Sequence, residues 1–202
     1  AGAPWGKHWA FEPPTKSEIP ISGSHPIDYF VQQRLGLEGW TLAEEAPRHT
    51  LLRRLSFDLT GLPPSHEEVQ DFERDPSPDA HLRQVERLLR SPHHGERMAM
   101  WWLDAARYAD TDGYQGDATR ANWPWRDWVV QALNENMPFD QFTLEQFAGD
   151  LLPDATPEQI LATSFHRNHM TNGEGGRDPE ESRIDYVIDR VNTVGTIWMG
   201  MT

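Results

Sequence analysis

The stretch Asp178-Pro-Glu-Glu-Ser-Arg-Ile-Asp-Tyr-Val-Ile-Asp-Arg-Val-Asn-Thr-Val194 decides the fold class of this sequence. The Asp178 side chain can accept hydrogen bonds from the free N–H groups of a first helical turn, and the fixed φ of Pro179 suits that turn. The apolar residues that follow recur every three or four positions: Ile184, Val187, Ile188, Val191 and Val194. This spacing places them on one face of an α-helix. The stretch therefore predicts a long amphipathic helix.

Helix-start signals recur throughout the rest of the chain. Ser65 with Glu68, and Thr156 with Gln159, have the spacing of a capping box, in which two side chains satisfy N–H groups of the first turn. No segment alternates apolar and polar residues with the period of two that a half-buried strand requires. We therefore predict a mostly α-helical, irregular fold of about eight helices.

Three segments interrupt the helical pattern. Residues 1–24 are rich in Pro, Gly and Ser and have few periodic apolar residues, which predicts an extended N-terminal arm ahead of a helical domain over 25–202. Within that domain, two long polar segments, 110–122 and 166–178, separate predicted helices. Loops on a rigid scaffold are where binding and catalytic residues concentrate, so these two loops hold most of the candidate site residues.

Charge and composition exclude several classes of function. The chain of 202 residues has 32 Asp plus Glu against 18 Lys plus Arg, a net charge of -14. Nucleic acids are disfavoured as partners because phosphate contacts need a basic surface. There is no cysteine, which excludes disulfides, Cys-ligated metals and covalent haem attachment to this chain. No apolar run approaches the roughly 18 residues that a membrane span needs.

The first loop contains clustered carboxylates at Asp110, Asp112 and Asp117. Calcium prefers such oxygen ligands, so these three residues are a candidate metal site. The loop departs from an EF-hand because its twelfth position is Ala121 and not a bidentate Glu. A helix end followed by Asx turns is the alternative interpretation.

The second loop is dense in groups that bind or react. His166, Arg167 and Glu174 are candidate catalytic residues, with His166 and Glu174 as an acid–base pair. The candidate cofactor-binding residues are His166, Asn168, His169 and Asn172. The two His are three positions apart and so could share one metal or approach a haem edge. The alternative is a surface loop whose polar groups tie down the chain.

The last helix adds Asp189 and Arg190 to the candidate catalytic residues. One interpretation is that Arg183, Asp189, Arg190 and Asn192 face the second loop and complete its pocket. The other is that these charges form ion pairs along an exposed helix surface.

Seven stretches occur in one order along the chain: Thr50-Leu-Leu-Arg-Arg-Leu-Ser-Phe-Asp-Leu-Thr-Gly-Leu-Pro-Pro64, Ser91-Pro-His-His-Gly-Glu-Arg97, Trp102-Leu-Asp-Ala-Ala-Arg-Tyr-Ala-Asp110, Ala148-Gly-Asp-Leu-Leu-Pro153, Phe165-His-Arg-Asn168, Glu174-Gly-Gly176 and Asp189-Arg-Val-Asn-Thr193. Together they resemble the planctomycete-type cytochrome-c-associated domain, a family of uncharacterised function. The resemblance runs from about His25 to Thr202.

The resemblance implies a large exported protein, periplasmic or extracellular, in which a small cytochrome-c-like domain precedes this one. Members often lie near sulfatases and polysaccharide-degrading enzymes, so the resemblance implies electron transfer or oxidation linked to polysaccharide breakdown. In the family, a Cys-x-x-Cys-His haem segment commonly follows the point equivalent to Thr202. Since the chain ends in the apolar run Ile197-Trp-Met-Gly-Met-Thr202, we expect it to continue in the full protein.

Three hypotheses follow from these observations. In the first, the chain is the helical scaffold of an exported c-type haem protein, and its partner is a haem-bearing segment or a cytochrome domain. In the second, it is a non-catalytic module that docks a cytochrome or a glycan, its acidic surface complementing a basic cytochrome. In the third, it is a glycan hydrolase or lyase with paired carboxylates such as Glu174, Asp110 or Asp189.

Overall fold

The computed structural model describes residues 6, 8–17, 19 and 25–201. It is 62% helical, and the described residues form nine α-helices and no strand, which confirms the predicted all-α class. One isolated antiparallel bridge joins Thr111 to Thr119 in the first loop. The chain divides into two compact units, Ala1–Ala46 and Pro47–Thr202.

The first unit contains a 3-10 helix, Trp9–Phe11, and helix α1, Pro26–Leu37. Within the predicted arm, the described residues 6, 8–17 and 19 have no regular structure apart from that 3-10 turn. The remaining arm residues lie outside the described part of the chain. The arm and the domain boundary at residue 25 stay predictions.

The second unit contains the other eight helices: α2 Arg48–Thr60, α3 His66–Arg74, α4 Ala80–Leu89, α5 Pro92–Ala105, α6 Trp123–Asn134, α7 Phe139–Ala148, α8 Pro157–Ala162 and α9 Pro179–Met199. Two 3-10 helices, Gly149–Leu151 and Thr163–Arg167, flank α8. The first loop, predicted over 110–122, is part of a non-helical segment that starts at residue 106 and joins α5 to α6. The second loop, predicted over 166–178, is irregular only from residue 168, where it leads into α9, because His166 and Arg167 belong to the 3-10 helix Thr163–Arg167.

The predicted capping boxes are present. The Ser65 hydroxyl accepts the N–H of Glu68 at 3.2 Å, and the Glu68 carboxylate accepts the N–H of Ser65 at 2.7 Å. Thr156 and Gln159 make the same reciprocal pair at 3.3 and 3.0 Å. These bonds satisfy N–H groups that a helix leaves without partners, which is why α3 and α8 begin where they do.

Helices α5 and α6 cross closely at Gly95. The N–H of Gly95 donates to the Asn134 side-chain oxygen at 2.8 Å. A Cβ at this position would overlap the backbone carbonyl of Val130. Glycine therefore lets the two backbones approach to a separation that no side chain would permit.

Aromatic side chains fill the main core. Trp125 and Val129 of α6 are fully buried, and Trp128 stacks on Phe142 of α7 with ring centroids 5.3 Å apart. Phe165 lies 6.1 Å from the Trp125 ring. A smaller cluster joins α2, α3 and α4 through the buried side chains of Leu52, Phe72 and Ala80.

Helix α9 joins the main core through its last turns. Val194, Ile197 and Trp198 pack against the aromatic cluster. The apolar residues that precede them on the same helix are exposed: Ile184, Val187, Ile188 and Val191. Among the described residues, no helix combines the length and apolar character needed to cross a bilayer.

Candidate functional site

The two long loops lie side by side and are joined by the side chain of Arg120. Its Nη1 donates to the carbonyls of Arg167 and His169 at 3.3 and 2.7 Å, and its Nη2 donates to that of Asn168 at 3.0 Å. Its Nε donates to the Ala109 carbonyl at 3.1 Å. One guanidinium therefore satisfies four backbone carbonyls and holds the loops together.

Further bonds fix the same junction. The N–H of Thr171 donates to the Asp112 carbonyl at 2.9 Å, and the buried Asn122 side chain donates to the buried Asn168 side chain at 2.7 Å. Gly113 has a φ of +84°, and a Cβ there would lie 2.9 Å from Cγ of Met170. The first loop therefore needs glycine both for its backbone angle and for its contact with the second.

A polar pocket of about 320 Å³ lies at this junction. It is lined by Asp112, Arg120, Ala121, Asn122, Arg167, His169 and Thr171. In the described part of the chain, neither the Asp112 carboxylate nor the Arg167 guanidinium has a hydrogen-bond or ion-pair partner. Both groups are therefore available to a ligand.

The ring of His169 is held in place beside the pocket. It stacks on Tyr186 of α9 with centroids 4.7 Å apart, and Nδ1 lies 2.9 Å from the Met170 carbonyl. Nδ1–H therefore donates to that carbonyl, which in the neutral ring leaves Nε2 as an acceptor. The Tyr186 hydroxyl accepts the N–H of Asn172 at 2.7 Å.

The three carboxylates of the predicted calcium site have different environments. Asp110 accepts the Tyr108 hydroxyl at 2.6 Å; burial, together with this bond, raises the pKa of Tyr108 to about 12. Asp117 accepts the Thr111 hydroxyl and the N–H of Gly113, which lowers its carboxyl pKa. Within the described residues, no three His, Asp or Glu side chains are grouped so as to hold a metal ion. Calcium binding stays a prediction.

An apolar groove of about 1060 Å³ runs along α9. Its apolar lining consists of Val187, Val191, Val194, Met199 and Met201, together with Gly195. The polar residues that line it are Arg107, His166, Arg190, Asn192 and Thr196. The apolar groove and the polar pocket share no lining residue.

His166 is the titratable imidazole of the apolar groove. Its half-buried ring packs edge-on against Phe165 and Phe147, with centroids 5.2 and 5.5 Å away. Burial lowers the pKa of His166 below its ordinary value, the positive charge of Arg190 lowers it further, and Asp150 opposes both. The ring is therefore neutral at pH 7, the form in which imidazole binds metals.

Two Arg side chains line the groove together with this imidazole. Arg107, at a φ of 58° just after α5, forms an ion pair with Asp189 of α9. Arg190 donates from Nε to the Tyr186 carbonyl at 3.1 Å. Both line the apolar groove and give it two positive charges.

Residues 26–202 match the family described as PSCyt2, protein of unknown function (DUF1549). The chain belongs to this family. PSCyt2 domains are associated with cytochrome c proteins. Comparison with curated proteins and with solved structures gave no significant match.

In this PSCyt2 domain the predicted site residues divide between two places. His166 and Arg190 meet at the apolar groove, whereas Arg167 and His169 meet at the polar pocket. Asp189 is beside the groove through its ion pair with Arg107.

The remaining predicted residues of the second loop have other surroundings. Asn168 is buried beneath the loop junction. The Asn172 side chain accepts the N–H of Glu174 at 2.9 Å, and Glu174 itself is exposed and lines neither the pocket nor the groove. Arg183, for which the sequence leaves open both a place facing this loop and a surface ion pair, pairs with Glu180 on the surface of α9. The catalytic roles stay predictions.

Sequence reasoning missed several residues that line the two sites: Arg107, Arg120, Asn122, Thr171, Met199 and Met201. Arg120 and Asn122 lie in the first loop, where the sequence pattern indicates only the carboxylates as site residues. Their partners among Arg167, Asn168 and His169 are 46 to 49 residues away in sequence, so no local pattern could have indicated them.

Proposed function

We propose that this PSCyt2 domain is the helical scaffold of an exported c-type haem protein, and that its apolar groove receives a haem-bearing segment or cytochrome domain. The observation that carries the proposal is the composition of the groove. An aliphatic wall, a neutral half-buried imidazole and two guanidinium groups occur together along one face of α9.

The residues of the groove fit the chemistry of haem. A haem has an apolar macrocycle, an iron that accepts imidazole ligands, and two carboxylates. Val187, Val191 and Met199 would contact the macrocycle, and Arg107 and Arg190 would pair with the carboxylates. The bound haem supplies reversible one-electron transfer. Because the chain has no cysteine, covalent attachment would come from the partner segment.

His166 is proposed as a distal ligand or a proton carrier. Both roles require an imidazole that is neutral near pH 7 and whose ring is held in one orientation. The packing of the ring against Phe147 and Phe165 provides the second requirement, and burial together with Arg190 provides the first.

Export to the periplasm or outside the cell, and oxidation linked to polysaccharide breakdown, belong to the same proposal. They are supported by the family membership and by the gene neighbourhood that the resemblance implies. In the alternative, the chain is a docking module without catalysis that binds its partner at the same groove. Its net charge of -14 would then attract a basic cytochrome. Glycan cleavage by Glu174, Asp110 and Asp189 has no comparable observation behind it.

The test is the visible spectrum and the intact mass of the full-length protein from its native source. We expect covalent haem, and a Soret band that shifts in His166→Ala. His169→Ala is the matched control because its ring lies at the polar pocket, and it should leave the spectrum unchanged. A full-length protein without covalent haem, and with no bound cytochrome, would overturn the proposal. Cytochrome binding that weakens with added salt, without a His166-dependent spectrum, would favour the docking module.

A further inference from the structure

We propose that the polar pocket between the two loops binds a small carboxylate that also carries hydroxyl groups, of about the size of one hexuronate ring. This is a second ligand site, separate from the apolar groove, and it does not depend on the haem proposal.

The first argument is the charge of the pocket. Arg120 and Arg167 contribute two positive charges and Asp112 one negative charge, in a chain whose net charge is -14. Arg120 uses its donors on backbone carbonyls but keeps its charge. The Arg167 guanidinium has no partner among the described residues, and its planar fork suits bidentate pairing with a carboxylate.

The second argument is that the pocket also holds acceptors. The Asp112 carboxylate is unpaired within the described structure, and Nε2 of His169 is the free nitrogen of its ring. A sulfate or phosphate would meet repulsion from Asp112, since neither anion has enough donors to satisfy a carboxylate. A ligand with hydroxyl groups supplies those donors, while Thr171 can donate or accept. The mixed lining therefore favours a polyhydroxy carboxylate over a simple anion.

The third argument is preorganisation and size. Arg120 fixes the backbone of both loops, and the Asp112 backbone is bonded on both sides, by Ala118 and by Thr171. Tyr186 fixes the His169 ring. The backbone of both loops and the His169 ring are therefore already in place before a ligand binds, which reduces the entropy cost of binding. The volume of about 320 Å³ is at the lower end of the roughly 300–1,000 Å³ that small-molecule pockets occupy.

The experiment is calorimetric titration of the purified protein with D-glucuronate, D-glucose and acetate as probes. Glucose lacks the carboxylate and acetate lacks the hydroxyl groups, so each removes one half of the recognition. We expect glucuronate to bind at least tenfold more tightly than either. Equal binding of acetate and glucuronate, or no binding of glucuronate at millimolar concentration, would overturn the proposal.

Two variants assign the binding to this pocket. Arg167→Gln should weaken glucuronate binding at least tenfold, whereas Arg177→Gln, in the same loop but outside the pocket, should not change it. Asp112→Asn should reduce the preference for glucuronate over acetate. Because the Arg167 side chain has no partner among the described residues, its loss should leave the unfolding temperature unchanged, so weaker binding cannot reflect misfolding. Equal affinities of the Arg167 and Arg177 variants would contradict the assignment.

Discussion

Arg120 donates a hydrogen bond of 3.0 Å to the backbone carbonyl of Asn168, which lies 48 residues further along the chain. The bond joins the loop after α5 to the loop before α9. The other terminal nitrogen of the same guanidinium, Nη1, donates to the carbonyls of Arg167 and His169. The two loops that form the polar pocket are therefore held together by one side chain, which sequence patterns do not identify.

Removing this side chain should destabilise the loop junction. Arg120→Met keeps much of the length but no donor, and leaves several part-buried carbonyls without partners. We expect the free energy of unfolding to fall by about 2–3 kcal/mol, because bonds from charged donors are among the stronger ones. Urea denaturation measures the difference. Arg183→Met is the control. Among the described residues Arg183 pairs with Glu180 alone, on an exposed surface, so its loss should change stability little. Equal losses for the two variants would contradict the role given to Arg120.

The helix starts could be predicted from the sequence because their causes are local. Ser65 and Glu68 are three residues apart, and their reciprocal bonds depend on that spacing alone. The same holds for Thr156 and Gln159. Any chain with these residues at this distance gains from beginning a helix there, whatever the rest of the fold does.

The packing of α9 could not be predicted in the same way. Its apolar spacing correctly indicated a helix, but Ile184 and Ile188 are exposed and only the last turns reach the core. Periodicity reports which residues share a face and does not report what covers that face. For the same reason, the sequence does not indicate that neighbouring residues at the start of the second loop contribute to two different sites. His166 and His169 are three residues apart and yet line different depressions.

The crossing of α5 and α6 provides a second stability test. Gly95→Ala would drive a methyl group into the Val130 carbonyl and the Asn134 side chain. We expect a loss of about 3 kcal/mol, the upper part of the usual range for overpacking. Gly36→Ala is the matched control because Gly36 is also helical, and no atom of the described residues lies within 4 Å of a Cβ placed there. That variant should be neutral or slightly stabilising, since Ala favours the helix. A Gly95 variant as stable as the Gly36 variant would show that the helices can move apart at no cost.

The buried side-chain amide of Gln146 provides a third test of stability. Its oxygen accepts the Trp102 indole N–H at 2.9 Å, and its nitrogen donates to the Phe142 carbonyl at 3.0 Å. Gln146→Leu should lower the free energy of unfolding by about 1–3 kcal/mol, because it leaves the indole N–H without an acceptor. Trp102→Phe removes that donor. The loss of unfolding free energy in the double variant should therefore be smaller than the sum of the losses in the two single variants. A loss equal to that sum would mean that the bond contributes nothing.

The last prediction concerns the titration of His166. Burial and the charge of Arg190 lower its pKa in the folded state below the ordinary value of about 6.5. The unfolded chain then binds the proton at higher pH than the folded one. The contribution of His166 to stability is therefore complete above pH 6.5 and is lost as the pH falls from there through the folded pKa. His166→Asn should remove this part of the pH dependence, as measured by urea denaturation at pH 7.5 and 5.5.

Charge variants separate the causes of that shift. NMR titration of the His166 ring should give a higher pKa in Arg190→Gln, because a repelling charge is removed. The pKa should be lower still in Asp150→Asn, because the opposing carboxylate is lost. The two variants should thus shift the pKa of His166 in opposite directions. An unchanged pKa in both variants would leave burial as the sole cause. The neutrality of this imidazole would then depend on the packing around Phe147 and Phe165 and not on its charged neighbours.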